Sequence, residues 1–329
     1  QDKTITLPDG TAAVNVTEFV DYQLHEKESQ NLAKTGKVFY GETFGDVVSY
    51  NFPFSFPNAV NTATTKARLD VAAISTENSS FTLKLNDTQA QSLTVLKKVS
   101  DNYEIGKDAN AVFTFTPSSD NYVFNLLYTK STSISKGYLN YLEVNARRKL
   151  MMTGNVMFFR NTDNAYSANY NHFQISGVNS NVQIWDITDQ SNIRRIITTR
   201  TGNILDFYDS NDVIKEYVAI DPTSASSFSQ PTIVGDEPNQ NLHEMGTTEM
   251  VIITHPTFLA QAEKLAEAHR EKDNMNVSVV TTEQVYNEFS SGTPDATAYR
   301  WVMKMLYDRA LASGNTNNLP KYLLLFGRG

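Results

Sequence analysis

Apolar and polar residues alternate over most of the chain between residues 37 and 221. Residues 67–73, 81–85 and 113–115 each place an apolar side chain at every second position. Further runs of this kind cover residues 47–56, 122–128, 138–145, 151–159, 173–176, 182–187 and 214–220. This alternation predicts antiparallel strands with one buried face. About ten short strands separated by turn signals favour an antiparallel β-sandwich of the jelly-roll type over residues 37–221.

Two prolines stand in the first of these runs. Pro53 and Pro57 flank Phe54 and Phe56. Because proline has no N–H to give to a ladder, it is confined to edge strands and interruptions. We therefore predict an edge strand or an interrupted strand at this position.

The pattern is different on either side of the sandwich region. Residues 1–36 are polar and carry no clear period apart from a short helical pattern at 26–33, so we predict an irregular N-terminal segment. Residues 222–246 are rich in Ser, Thr, Pro and Gly, a composition that indicates a linker.

Residues 247–329 change to a pattern of strands and helices. Short apolar runs at 250–254, 277–280 and 322–326 predict strands that are buried on both faces, as in a parallel sheet. Between them lie two long helical patterns, which Thr257 and Asp295 are predicted to cap, and a shorter pattern covers 283–289. This order predicts an open parallel α/β sheet whose functional groups lie at the carboxyl ends of the strands. Three strands leave open edges, so we expect a neighbouring chain or an exposed apolar patch that includes 322–326.

Composition narrows the classes of function. The net charge of −8 and the pI near 5.2 argue against a nucleic-acid partner, which usually meets a basic face. The chain has no cysteine, so disulfides, zinc–thiolate sites and a thiol nucleophile are excluded within these residues. No apolar run approaches the length of a membrane-spanning helix.

Few residues form a candidate site. His255 follows the first strand of the α/β region, where active sites gather, but its place before Pro256 also suits a turn that starts a helix. His269 falls on the apolar face of its helix and is interpreted as a packing residue. Glu267 and Glu271 are spaced like a carboxylate pair, but the nearby Lys264 and Arg270 favour a solvated face.

Aromatic residues are numerous in the sandwich region, and aromatic faces can stack on sugars. Most of them occupy inward positions of the alternating pattern, which favours core packing over carbohydrate binding. No histidine pair has metal-ligand spacing with a carboxylate partner, so neither a metal nor a cofactor is predicted.

Several longer stretches resemble a known family. These are DYQLHEKE at 21–28, GKVFYGETF at 36–44, FPFSF at 52–56, YLEVNARR at 141–148, ITHP at 253–256, VTTEQVYNEFSSG at 280–292 and KMLYDRA at 304–310. Together they resemble the PorU-type sortases of the type IX secretion system, which are gingipain-like C25 cysteine peptidases. The resemblance runs from about residue 20 to the end of the chain.

The resemblance implies a β-sandwich followed by the first half of a caspase-like and gingipain-like α/β catalytic domain. The family's catalytic pair, a histidine in a His-Gly context and a cysteine, is expected after Gly329, so the chain is expected to be an interior fragment. No catalytic, cofactor-binding or metal-binding residue is carried over to it. Family members usually have Gly-Asp-Gly where this chain has Gly327, Arg328 and Gly329.

The family mechanism is attack of a histidine-activated thiolate on a peptide carbonyl to form a thioester. Water then completes hydrolysis, or an amine of surface lipopolysaccharide completes transfer. The implied partners are C-terminal signal domains of secreted cargo and other outer-membrane components of the secretion system, at the surface of a Gram-negative cell. Two alternatives stay open: a C25-like peptidase that only hydrolyses, and a non-catalytic secreted module whose sandwich binds a glycan or a protein.

Overall fold

The computed structural model describes residues 1–34, 38–99, 103–167 and 169–327. The chain divides into two compact units, and their boundary falls between Pro231 and Thr232. The first unit is built from strands and the second from strands and helices. The boundary that the sequence analysis sets at residues 36 and 37 lies outside the described residues, as do Arg328 and Gly329.

The strands of the first unit are short and numerous. In chain order they are β1 (Asp2–Lys3), β2 (Ala13–Val16), β3 (Glu18–Glu26), β4 (Thr43–Phe44), β5 (Ser49–Ser55), β6 (Thr65–Ile74), β7 (Ser79–Leu85), β8 (Gln89–Val95), β9 (Lys107–Phe115), β10 (Asn121–Thr129), β11 (Lys136–Lys149), β12 (Val156–Arg160), β13 (Tyr170–Ile175), β14 (Gln183–Asp186), β15 (Arg194–Ile196), β16 (Thr199–Thr201), β17 (Ile204–Ser210) and β18 (Glu216–Ile220).

Strands β3 to β11 form the first sandwich. Its sheets have the orders β5-β10-β7-β8 and β3-β11-β6-β9, and β4 pairs with β11. Inward residues of both sheets, among them Leu69, Phe81, Phe124 and Leu142, share one buried core. β5, which contains Pro53, is an edge strand, as the proline pattern predicts.

The second sandwich is made of β1, β2 and β12 to β18. Its sheets have the orders β1-β15-β14-β18-β12 and β16-β17-β13-β2. Its separate core contains Phe159, Phe173, Phe207 and Tyr217, and the rings of Phe173 and Phe207 stack with centroids 4.7 Å apart. The region predicted as one antiparallel sandwich therefore holds two cores. The pairs β1–β15 and β2–β13 are parallel, and each joins strands that are far apart in sequence.

The N-terminal segment differs from the prediction. Residues 1–34 contain β1, β2 and the nine-residue β3, which pairs along its whole length with β11, and residues 26–33 contain no helix. The sequence of β3 does not show a clear alternation of apolar and polar residues, because only Phe19 of this strand is fully buried. This segment also joins the sandwiches, since β2 and β3 are separated by Thr17 alone and Leu150 N donates to Thr17 O at 2.7 Å.

The second unit has a parallel sheet of β19 (Met250–Thr254), β20 (Val277–Thr281) and β21 (Tyr322–Phe326), in the order β20-β19-β21. The connections contain α1 (Leu259–Asp273), α2 (Thr282–Phe289) and α3 (Thr297–Ala312). Asp295 accepts from the Thr297 amide at 2.7 Å, but the N-cap position of α3 is Ala296, so the predicted cap lies one residue too early. Helix α1 covers one face of β19 through Ala262 and Ala266, while α2 and α3 cover the other through residues such as Val302.

Strand β21 is an exposed edge of this sheet. Tyr322, Leu323 and Leu325 are 55%, 42% and 58% exposed, whereas β19 is buried at every position. The apolar patch predicted at residues 322–326 is therefore confirmed. The predicted fold class, a β-sandwich region followed by a parallel α/β sheet, is confirmed as well. Among the described residues, no helix is long and apolar enough to cross a membrane.

Candidate functional site

The carboxyl edge of the parallel sheet is the candidate functional site. Thr254, at the end of β19, is in register with Thr281 of β20 and Phe326 of β21, so the three strands end together. In open parallel sheets, ligands and reacting groups lie just beyond such an edge. The side chains and backbone groups at this edge therefore determine which ligands or reactions the second unit could support.

Hydrogen bonds hold this edge in place. Thr254 is 1% exposed, and its Oγ1 donates to the carbonyl oxygen of Phe326 at 3.0 Å. The Thr281 side chain accepts from the Gln284 amide at 3.2 Å, and the Gln284 side chain accepts from the Thr281 amide at 2.9 Å. This reciprocal cap fixes the start of α2 at the end of β20. Gly327 follows β21 with φ of +153°, a conformation that a side chain disfavours, so its glycine marks a change of chain direction.

His255 lies at this edge but serves the start of a helix. Its Nδ1 accepts from the Thr257 amide at 3.3 Å and lies 2.6 Å from Thr257 Oγ1. Pro256 follows at the first position of the short turn that leads into α1. The interpretation of His255 as a turn residue is confirmed. Thr257, by contrast, is not the cap of this helix as predicted, because the chain forms a short 3-10 turn before α1 begins.

The other residues singled out in the sequence lie away from this edge. His269 is near the end of α1, with Nδ1 2.6 Å from Asp273 Oδ2. Glu267 and Glu271 are exposed, and Arg270 Nη1 lies 3.1 Å from the Glu267 carboxylate. Exposed pairs of this kind contribute little to stability. The structure therefore brings none of these carboxylates to the carboxyl edge.

The edge can orient a ligand but carries no nucleophile of the thiol kind. The chain contains no cysteine. Among the residues described by the structure, no group of three or more His, Cys, Asp or Glu side chains could hold a metal ion. The chemistry available at the edge is hydrogen bonding from threonine hydroxyls, backbone groups and the second nitrogen of His255.

A carboxylate that the sequence analysis missed fixes the segment leading into β19. Glu288 of α2 accepts from the Leu242 amide at 2.6 Å, the His243 amide at 3.0 Å and the Gln240 side chain at 2.8 Å, and it lies 2.7 Å from His243 Nδ1. Burial alone raises the pKa of Glu288, but these hydrogen bonds outweigh it and hold the pKa below its usual value. Residues 240–245 were predicted as linker, yet Leu242 is buried in the core of the second unit.

A buried charge cluster lies in the second sandwich. Lys3 Nζ bridges Asp186 and Asp209 with two contacts of 2.8 Å. Asp209 also accepts from Lys215 Nζ at 2.7 Å and from the Tyr217 hydroxyl at 2.9 Å. Burial raises the pKa of Tyr217, and the charge of Asp209 raises it further. The Tyr217 hydroxyl therefore stays protonated and donates to Asp209.

The positions of the two aspartates in the sequence indicate this cluster. Asp186 follows Ile184, and Asp209 follows Leu205 and Phe207, so both carboxylates occupy inward positions of alternating strands. A carboxylate at such a position needs a cationic partner. The partner Lys3 could not be identified from sequence, because it lies in a two-residue strand more than 180 positions away.

Comparison with known protein families finds a match for the second unit. Residues 243–329 match the sequence profile of Peptidase family C25. The matched stretch begins at the turn held by Glu288 and includes the whole parallel sheet.

Nearly the whole chain is similar to a solved structure, dimeric latent PorU from Porphyromonas gingivalis. The TM-score is 0.79 and the identity is 26%, over 99% of this chain and 32% of the PorU chain. The chain is therefore PorU-like, and its last part, residues 243–329, matches the C25 peptidase family. It spans about a third of the length of PorU.

More distant structures match only part of the chain. CBM36 in complex with calcium and xylotriose matches at 13% identity with a TM-score of 0.25, over 39% of this chain and 99% of its own. The CBM36-1 domain of a xylanase from the hindgut metagenome of Trinervitermes trinervoides matches at 14% identity with a TM-score of 0.25, over 38% and 96%. No curated protein matches the chain in sequence.

Proposed function

We propose that the chain is part of a gingipain-like cysteine peptidase that acts as a sortase in type IX secretion. Such an enzyme cleaves C-terminal signal domains from cargo and transfers the cargo to a surface amine. The observation that carries the proposal is the similarity to PorU over 99% of the chain, together with the C25 match of residues 243–329.

In this proposal the second unit supplies the first strands of the catalytic sheet. The catalytic histidine and cysteine belong to strands that follow β21 in the parent protein. The exposed edge of β21 supports this arrangement, because Leu323 and Leu325 offer apolar surface and unpaired backbone to a further strand. The bond from Thr254 to Phe326 would then hold the edge on which those strands build.

The proposed partners are C-terminal signal domains of cargo and other outer-membrane components of the secretion system. The proposed location is the cell surface of a Gram-negative bacterium. Likeness to PorU supports both statements. A C25 peptidase that only hydrolyses is the nearest alternative, because the same thioester can be resolved by water.

The test uses the parent protein with its natural continuation after residue 329. The sequence of the continuation should contain a His-Gly pair and a cysteine, and replacing that cysteine by alanine should abolish cleavage of a C-terminal signal peptide. Mass spectrometry of the product, with an added amine, separates conjugation from hydrolysis. A continuation without the histidine and cysteine would refute the enzyme and leave a non-catalytic binding module.

We predict that the 329-residue chain itself does not cleave such a peptide. It contains no cysteine, so the covalent step lacks its nucleophile. The measurement is release of a fluorophore from a signal-domain peptide, with the parent protein as the positive control. Turnover by the purified chain that survives removal of trace proteases would contradict the assigned mechanism.

A further inference from the structure

A groove of about 490 Å³ lies where the two sandwiches meet. One wall consists of the consecutive residues 19–22 and Leu24 of β3, and the other of residues 158–160 of β12. Ile187, Glu216 and Tyr217 complete the lining. Neither the C25 match nor the proposed reaction uses this groove, because it belongs entirely to the first unit.

Both walls are strand edges. A pocket above the face of a sheet touches every second residue of a strand, because side chains alternate between the faces. This groove touches successive residues of β3 and of β12, so it runs along their edges. Sheet topology agrees, since β3 and β12 are each the last strand of their sheet.

The backbone of β3 turns the N–H and C=O groups of every second residue away from β11 and towards the groove. The Tyr22 amide donates to the neighbouring Asp21 Oδ1 at 2.9 Å, so it points away from β11. In an antiparallel ladder, alternate residues turn their N–H and C=O to the same side. Val20 and Leu24 therefore present their backbone groups on the groove side together with Tyr22.

Apolar side chains border the same groove. Tyr22, Leu24 and Phe158 are 54%, 49% and 64% exposed. The Arg160 guanidinium lies over the Tyr22 ring at 5.6 Å, and its Nη1 is 3.1 Å from Glu216 Oε1. The groove thus combines exposed aromatic and aliphatic surface with one polar pair at its side.

We propose that this groove binds an extended strand of a partner protein, which pairs with β3 and places apolar side chains against Tyr22, Leu24 and Phe158. Sugars and acyl chains could cover the apolar side chains, but only another backbone satisfies a row of strand N–H and C=O groups. Side-chain pockets on alternate positions would then select a segment with apolar residues at every second position. The proposal is independent of the reaction proposed above.

The test measures binding of a labelled peptide to the whole 329-residue chain. The probe is a fluorescein-labelled peptide of about eight residues in which valine and threonine alternate, with a lysine at each end. A matched peptide carries N-methyl groups on alternate amides, so that one hydrogen-bonding edge is blocked. Fluorescence anisotropy gives the dissociation constants, and circular dichroism verifies the fold of each variant.

Three variants carry a lysine at an exposed apolar position. Leu24→Lys and Phe158→Lys alter the groove, whereas Val112→Lys alters β9, the opposite edge of the same sheet, where Val112 is 51% exposed. We expect saturable binding of the plain peptide that each groove variant weakens about tenfold or more and the control leaves unchanged. The N-methylated peptide should bind at least about tenfold more weakly.

Other outcomes overturn the proposal. Absence of saturable binding, or equal binding by all variants, removes the groove as a strand receptor. Equal binding of the N-methylated peptide shows that the groove offers apolar contact alone. Self-association of the chain that Phe158→Lys abolishes, without peptide binding, assigns the groove to a second copy of the chain.

Discussion

At the residue scale, the second sandwich contains a buried carboxylate with three side-chain partners. Asp209 accepts from Lys3 Nζ, Lys215 Nζ and the Tyr217 hydroxyl while its side chain is 4% exposed. The ammonium groups are also largely buried, with lysine side chains 15% and 13% exposed. Removal of Asp209 would leave two buried cations and a buried hydroxyl with fewer acceptors.

We predict that Asp209→Ala costs about 3–5 kcal/mol of unfolding free energy, because breaking a buried ion pair leaves uncompensated charge. Urea unfolding followed by circular dichroism measures the loss. Asp212→Ala is the matched control, since Asp212 also contacts Lys215 but its side chain is 67% exposed. A loss no larger than that of the control would mean that the cluster does not hold the sandwich together.

Acid should weaken the same cluster through Asp186. Burial raises the pKa of Asp186, but hydrogen bonds from Lys3 and Thr188 outweigh it and keep the pKa below its usual value. A carboxyl whose folded pKa is lowered adds stability above the unfolded pKa, about 3.9, and loses it as the pH falls through the folded pKa. The contribution is therefore present at neutral pH and disappears in acid.

We predict that Asp186→Asn lowers the unfolding free energy at pH 7. It should also flatten the fall of this free energy as the pH drops below about 4, where the unfolded chain binds up to one proton more than the folded chain at this residue. The measurement is urea unfolding at a series of pH values. Asp236→Asn, at an exposed position, serves as the control. An unchanged acid limb in Asp186→Asn would place the acid sensitivity elsewhere.

At the element scale, β21 has the apolar sequence of a buried strand but lies at an exposed edge of its sheet. Leu323 and Leu325 are residues of a buried strand, yet they are 42% and 58% exposed at the edge of a three-stranded sheet. An exposed, apolar and unpaired edge is a site of association between chains.

We predict that the chain self-associates with increasing concentration, and that Leu323→Lys combined with Leu325→Lys makes it monomeric. Lysines at an edge add charge repulsion and need hydration, which oppose strand pairing. Sedimentation velocity provides the measurement, and Val112→Lys on β9 is the control. Wild-type protein that stays monomeric at all concentrations would show that this edge is already protected.

The elements show which parts of the fold sequence can predict. The period of two located most strands, and the apolar runs at 250–254, 277–280 and 322–326 located the parallel sheet. The alternation of apolar residues does not show which strands pair, however. The pairing of β1 with β15 and of β2 with β13 was therefore not predicted, and two sandwiches were predicted as one. At the candidate site, the turn role of His255 followed from its place before Pro256, while Glu288 and the groove depend on contacts that only the folded chain creates.

At the scale of the whole molecule, the two compact units are joined by a segment without helix or strand. Residues 228–241 contain no helix or strand, and Ile233 and Val234 are 93% and 99% exposed. Apolar residues on an exposed, irregular segment are accessible to a protease that selects for them.

We predict that thermolysin first cleaves the native chain at Ile233 or Val234 and separates the two units. Ile233→Asp combined with Val234→Asp should remove this cut and leave the unfolding midpoint unchanged, because neither side chain is buried. Intact-mass spectrometry of a short digest identifies the site. A first cut inside either unit would show that a folded element opens more readily than this segment.

The connectivity of the sandwiches has a consequence for the order of folding. Residues 18–149 complete the first sandwich, whereas the second needs residues on both sides of them, and Asn15 contacts His172 at a separation of 157 positions. At about 5–20 residues per second, synthesis of the chain from Asn15 to His172 takes roughly 8–30 s. During this time β1 and β2 lack their partner strands, while the strands of the first sandwich can already pair. Once assembled, the inner strands bring Thr17 and Leu150 together, at 2.7 Å between the Leu150 amide and the Thr17 carbonyl. Closing a loop of about 130 residues costs roughly 4 kcal/mol of entropy, so we expect the first sandwich to close this loop before the second sandwich forms.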